Sequence, residues 1–105
     1  MPEVLKILTE LRRRLEELYG SRLVRLVLFG SHARGDAESG SDIDVLVVLR
    51  DDVNPGEEIR RTGGIVSELS LANDVVISCL FMDEFRFMHR NGPLLRNIRR
   101  EGIAA

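Results

Sequence analysis

The chain has 105 residues, a formal net charge of −2 and one cysteine, Cys79. That is one domain's worth of sequence, long enough to bury roughly two-thirds of the surface its unfolded form exposes, with no intramolecular disulfide to rely on. The charge balance carries no nucleic-acid footprint, no apolar run reaches the roughly 18 residues of a membrane span, and the start Met-Pro-Glu-Val-Leu-Lys lacks the layout of a signal peptide. A single domain over residues 1–105, cytoplasmic and without a membrane anchor, is the expectation.

Val4, Leu8, Leu11, Leu15 and Leu18 recur at helical intervals and predict an amphipathic helix over 3–19, with Pro2 at its start and Gly20-Ser21 at its end. Arg12, Arg13 and Arg14 fall on its solvated side, and Tyr19 packs at its end. Residues 23–29 read as a buried strand, 30–40 as a turn region with a short helical turn after Ser31, and 42–49 as a second strand. Asp51-Asp52-Val53-Asn54-Pro55-Gly56 is a loop.

Residues 57–71 favour a helix with Ile59, Val66 and Leu69 toward the core. Gly63 and Gly64 weaken its middle by about 1 kcal/mol each, or mark a break or a close approach to a ligand. A third strand follows at 75–82, with Cys79 an inert thiol inside it. Two short helices, 83–89 and 93–100, end the chain, with Pro93 in the first turn of the second and Gly102 beyond its end. This order predicts an α/β (α+β) fold, a small mixed sheet backed by helices on one face. The connection from Gly30 to Ser41 allows antiparallel pairing of the first two strands, and the helical crossover suits a parallel pairing of the second and third.

Charge is unevenly placed. Residues 36–58 hold eight acids against Arg50 alone, and residues 84–101 hold five arginines against Glu84 and Glu101. Apart from Asp42 and Asp44, the acids read as polar loops around a strand. With Lys6 the only lysine, and far in sequence from the turn region, a lysine nucleophile is nearly excluded.

The chemistry concentrates in Gly30–Val45. Gly30 and Ser31 form a turn after an apolar run, ten residues intervene, and Asp42 and Asp44 open the next run. Carboxylates at i and i+2 of an extended segment share one face. Asp44 abuts five apolar residues, where an unpaired carboxylate loses hydration, and the repulsion between the pair is relieved by a cation between them. Mg²⁺ takes one or two carboxylates together with waters and substrate phosphates. The glycine lets backbone amides approach an anion, the Ser31 hydroxyl donates to a phosphate oxygen, and Gly35 permits a left-handed turn. Arg34 either forks a phosphate or braces Asp42 or Asp44. The pattern therefore points to a metal-dependent site for a nucleoside triphosphate. His32 reads as solvent-facing, and His89, among Phe85, Phe87 and Met88, as a helix cap.

Gly-Ser, ten residues and Asp-x-Asp, here Gly30-Ser31 and Asp42-Ile43-Asp44, resembles the signature of the DNA polymerase beta-like nucleotidyltransferase superfamily. The form Gly-Ser-x-Ala-Arg-Gly, the short chain and the ending Pro93–Gly102 resemble its minimal members. The resemblance implies that Asp42 and Asp44 hold Mg²⁺, in a two-metal arrangement, against ATP, and that AMP passes to an acceptor hydroxyl with release of pyrophosphate. It also implies a third carboxylate on a neighbouring strand. Counting back from Asp83-Glu84-Phe85, that place falls near Ser78, and the nearest acid is Asp74, four residues earlier and of the same strand parity. Either Asp74 completes the catalytic set, or the site has two carboxylates.

Minimal nucleotidyltransferases commonly pair with a small helical HEPN protein, an RNase toxin that they neutralise by adding AMP to a tyrosine. The expectation is such an antitoxin. Its rival is a non-catalytic module of the same fold that neutralises its partner by contact. Transfer to a small molecule such as an aminoglycoside normally calls for an added acceptor-binding domain.

Overall fold

The computed structural model describes residues 2–105. Helix α1 (Pro2–Tyr19) ends in a 3₁₀ turn, Gly20–Arg22, that feeds strand β1 (Leu23–Phe29). A one-turn helix α2 (Ser31–Arg34) and a loop lead to β2 (Ile43–Leu49). Helix α3 (Pro55–Ala72) crosses to β3 (Ile77–Asp83), followed by α4 (Glu84–His89), α5 (Pro93–Glu101) and a two-residue β4 (Ile103–Ala104). The sheet runs β3-β2-β1-β4, with β1 antiparallel to β2 and β4, and β2 parallel to β3. Both expected pairings are present. The short β4 was not anticipated, two residues being too few to leave a pattern.

Helices cover both faces of the sheet, not one. Ile43, Val45, Val47 and Leu49 of β2 pack with Leu11 and Leu15 of α1 and Leu69 of α3. The alternate residues Leu46 and Val48 pack with Phe87 of α4 and with Leu95 and Ile98 of α5. The physical reason is the unbroken run Val45–Leu49, in which every residue is fully buried. Each such side chain contributes about 1.5–3 kcal/mol when taken from water, so neither face of the strand can be left bare.

The helices depart from expectation where polar residues are buried. Leu18 and Ile59 are exposed, and Tyr19, Glu58 and Thr62 take the inward positions. The Tyr19 hydroxyl donates to Glu58 Oε1 at 2.6 Å, while Arg61 Nε lies 3.2 Å and Arg22 Nη1 3.9 Å from the same carboxylate. A buried charge is tolerated only when so satisfied, and Glu58 is thus no loop acid. Burial and the neighbouring Glu58 raise the Tyr19 pKa.

Arg12 and Arg14 are half-buried. Arg12 Nη1 donates to the Ala105 carbonyl at 2.5 Å, Arg14 Nη2 reaches Glu68 at 2.9 Å, and only Arg13 is a simple surface residue, paired with Glu10 and Glu17. Gly63 and Gly64 leave α3 unbroken. Burial pushes the Cys79 thiol up to about 12, far above the range of reactive thiols. Among the described residues no helix is long and apolar enough to cross a membrane.

Candidate active site

Alternation along β2 decides where the carboxylates go. Asp44 shares parity with Leu46 and Val48 and therefore faces the α4–α5 side. Asp42 precedes the strand and is exposed, whereas Asp44 is half-buried. Burial, and secondly the neighbouring Asp42, raise the Asp44 pKa, with His32 and Arg34 opposing. The electrostatic conflict expected from Asp-x-Asp is present.

Gly30 closes the site from the other side. It pairs with no standard L-residue conformation, lying at φ 74°, ψ −155°, a region essentially confined to glycine. A β-carbon there would overlap Asp44 Oδ2 and approach Asp44 Cγ to 3.2 Å. This follows from the register, because Phe29, just before Gly30, stands opposite Asp44. The Gly30 carbonyl accepts from the Ala33 and Arg34 amides at 3.1 Å each, which winds α2, and Gly35 ends α2 in the left-handed region at φ 81°.

Gly30, Ser31, Arg34 and Asp44 line one cleft of about 350 Å³, with Phe29 below and Leu94, Asn97, Ile98 and Glu101 of α5 as its far wall. Arg34 braces neither Asp42 nor Asp44 directly. Its Nε lies 3.2 Å from Asp36 Oδ2 and its Nη1 lies 3.8 Å from Glu101 Oε2. His32 is half-buried instead of solvent-facing, its Nε2 3.1 Å from the Ser41 carbonyl, so that it ties α2 to the end of the loop before Asp42. His89, the last residue of α4, is exposed and packs against Phe85, with ring centroids 4.4 Å apart and the rings tilted by 42°.

Asp74 is not brought to this cleft. Strand β3 begins at Ile77, and Asp74 sits in the preceding turn with φ 51°, so the parity argument fails where the chain is no longer extended. Ser78 stands directly beside Asp44 in the parallel β2–β3 register, so β3 presents a hydroxyl at that place. Among the described residues no three His, Cys, Asp or Glu side chains cluster as a metal site. Asp74 instead lines a larger cleft of about 860 Å³, together with Glu3, His32, Glu38, Ser41 and Val76. That cleft carries acids and no lysine or arginine, which disfavours phosphate; the smaller cleft has the arginine and the glycine-serine turn.

Glu101 and Asn97 escaped the sequence reading. The arginine-rich ending masks them, although both lie in the Pro93–Gly102 stretch that resembles the ending of minimal nucleotidyltransferases.

The cleft thus joins the glycine-serine turn to Asp44 at the start of β2, while Asp42, two residues earlier and exposed, does not line it. Residues 8–104 match the nucleotidyltransferase domain family. A Methanocaldococcus jannaschii protein named "putative protein adenylyltransferase" is 35% identical over 98 residues, covering 92% of this chain and 92% of its own length. A toxin–antitoxin crystal structure with AMP-PNP superposes with a TM-score of 0.62 at 19% identity, covering 90% of this chain and 68% of that one. A Shewanella oneidensis complex of a tri-AMPylated HEPN toxin with its MNT antitoxin superposes with a TM-score of 0.54 at 15% identity, covering 93% and 70%. This chain belongs to the nucleotidyltransferase domain family, a family of enzymes.

Proposed function

We propose that this protein transfers AMP from ATP to a hydroxyl of a partner protein, and that the partner is a HEPN-type helical toxin modified on tyrosine. The observation that carries the reading is the close seating of Asp44 on Gly30, in one cleft with Ser31 and Arg34. It is supported by the adenylyltransferase name of the M. jannaschii relative and by the AMP-PNP and the AMPylated HEPN toxin of the two complexes of like fold.

Asp42 and Asp44 fit a divalent cation, because Asp44 is held with its carboxylate half-buried beside a second one, a conflict that a hard cation relieves. They would hold Mg²⁺, which when bound neutralises triphosphate charge. Ser31 and the Gly30 turn would cradle phosphate oxygens, and Arg34 would supply a forked cation to the same group. The bond formed joins the acceptor oxygen to the α-phosphorus, the bond broken releases pyrophosphate, and the acceptor proton leaves to solvent or to a base. Positioning and charge stabilisation are what these residues contribute.

Ser78 beside Asp44 favours a second reading, a module that binds nucleotide and neutralises its partner by contact alone. Incubation with α-labelled ATP, Mg²⁺ and the product of the neighbouring gene tests both. Label on a partner tyrosine, lost in Asp44→Asn, is the expected result. A tight complex that acquires no label would overturn transfer and leave the contact module.

A further inference from the structure

Glu101 faces the phosphate side of the cleft from the end of α5. Its Oε2 lies 3.8 Å from Arg34 Nη1, and its other oxygen lies 3.5 Å from Arg100 Nη2. The opposite edge of Arg34 is held by Asp36 at 3.2 Å. Arg34 is the one cation among the described residues lining this cleft, and it stands between two carboxylates while Asp44 adds a third negative charge to the same walls. A cleft so composed is poor for a bare polyanion.

We infer that Glu101 is a specificity-determining residue, which makes the cleft reject metal-free triphosphate and accept the metal complex. The inference rests on the triphosphate reading of the cleft. Metal-free triphosphate carries several negative charges into a site where Glu101 both repels it and competes for the Nη edge of Arg34. The metal complex brings two fewer negative charges, and the carboxylates then face a cation. Once phosphate takes Arg34, the flexible Glu101 side chain can turn to Arg100, already its neighbour. Glu101 is about one-third exposed at 32%, so the turn requires no repacking. Selection for the metal complex keeps unproductive free nucleotide from occupying the site.

The test is binding of a non-hydrolysable ATP analogue to the full chain, by calorimetry, with excess Mg²⁺ and with EDTA. The variants are E101Q, E101D and, as a control, E57Q, an exposed carboxylate of α3 outside the cleft. E101Q should tighten metal-free binding by about five- to tenfold, the effect of one removed charge a few ångströms away at a partly screened site. Binding with Mg²⁺ should change by less than about twofold, because there the metal screens the same charge. E101D should keep most of the wild-type discrimination, and E57Q all of it. Equal tightening of both forms by E101Q, or none, overturns the inference while the Mg²⁺-dependent binding of the wild type still supports the triphosphate reading. A wild type that binds neither form overturns both. Thermal melts of each variant establish that the fold is retained.

Discussion

Gly30 and Asp44 leave no room for a β-carbon between them, since one built on Gly30 would run into the Asp44 carboxylate. Two costs then fall on any substitution at Gly30. One is the backbone at φ 74°, worth about 1–3 kcal/mol for a residue with a side chain, and the other is the overlap itself. Gly30→Ala is therefore expected to lower stability by at least about 2 kcal/mol and to abolish nucleotide binding. Asp44→Ala in the same chain should recover part of the stability, the overlap share, and none of the binding. Chemical denaturation of the two single variants and the double variant checks this. Strict additivity would sink the steric argument. Ser31→Ala should be milder, on the order of 1 kcal/mol in binding for one neutral hydrogen bond.

The raised pKa of Asp44 gives the metal-free protein a pH signature. Burial first and Asp42 second make the folded chain hold that proton more tightly than the unfolded chain. The stability contributed by this group is full below the unfolded carboxylate pKa and is lost as pH rises through the folded value. At neutral pH without metal, Asp44→Asn is expected to melt above wild type by roughly 1–3 °C, with the difference vanishing in acid. Excess Mg²⁺ with nucleotide should reverse the order, because it stabilises only the chain that binds it. Identical melting of the two proteins at both pH values would count against an electrostatic conflict at this position.

The second buried polar group yields a prediction about the fold alone. Tyr19 joins the end of α1 to Glu58 of α3 by a 2.6 Å hydrogen bond under nearly complete burial. Tyr19→Phe keeps the ring and removes one donor from a buried carboxylate, at a cost of about 1–2 kcal/mol. Glu58→Leu should be gentler than Tyr19→Ala, since Arg22 and Arg61 can turn to solvent whereas an emptied aromatic site cannot refill. Urea midpoints rank the three, and a Tyr19→Phe variant as stable as wild type would show that the arginines alone satisfy Glu58.

The candidate site left a plainer pattern in the sequence than the covering of the sheet did. Gly30, Ser31, Asp42 and Asp44 announce themselves because a glycine-serine turn and an i, i+2 acid pair have few structural uses at the ends of two apolar runs. Glu58 and Ile59 were exchanged, since a helical stripe read from apolar residues alone cannot see a buried carboxylate whose partners, Tyr19 and Arg22, lie on other elements. The cover over Leu46 and Val48 was available in the run Val45–Leu49, which lacks the alternation of a one-sided strand. Glu101 could not be found by spacing, because α5 is brought to the cleft by the packing of Leu95 and Ile98 on the sheet, far in sequence from Gly30 and Asp44.

Ser78 stands beside Asp44 where the family resemblance implies an acid. Side chains in register on parallel strands share a face, so an aspartate at 78 would point to the same side as Asp44. If the chain transfers AMP slowly for want of a base or a further metal ligand, Ser78→Asp should raise the transfer rate, by up to the roughly hundredfold typical of a positioned general base. In metal-free protein the same change should lower the melting temperature, because a third negative charge joins Asp42 and Asp44. Added Mg²⁺ with nucleotide should restore more stability to the variant than to the wild type. Asp74→Asn should leave both transfer and nucleotide affinity unchanged, since Asp74 lines the other cleft from a turn with φ 51°. Single-turnover transfer of labelled AMP, run beside melting curves with and without Mg²⁺, measures all of these effects. A large loss of transfer in Asp74→Asn would restore Asp74 to the catalytic set, and would mean that the turn before β3 rearranges when nucleotide binds.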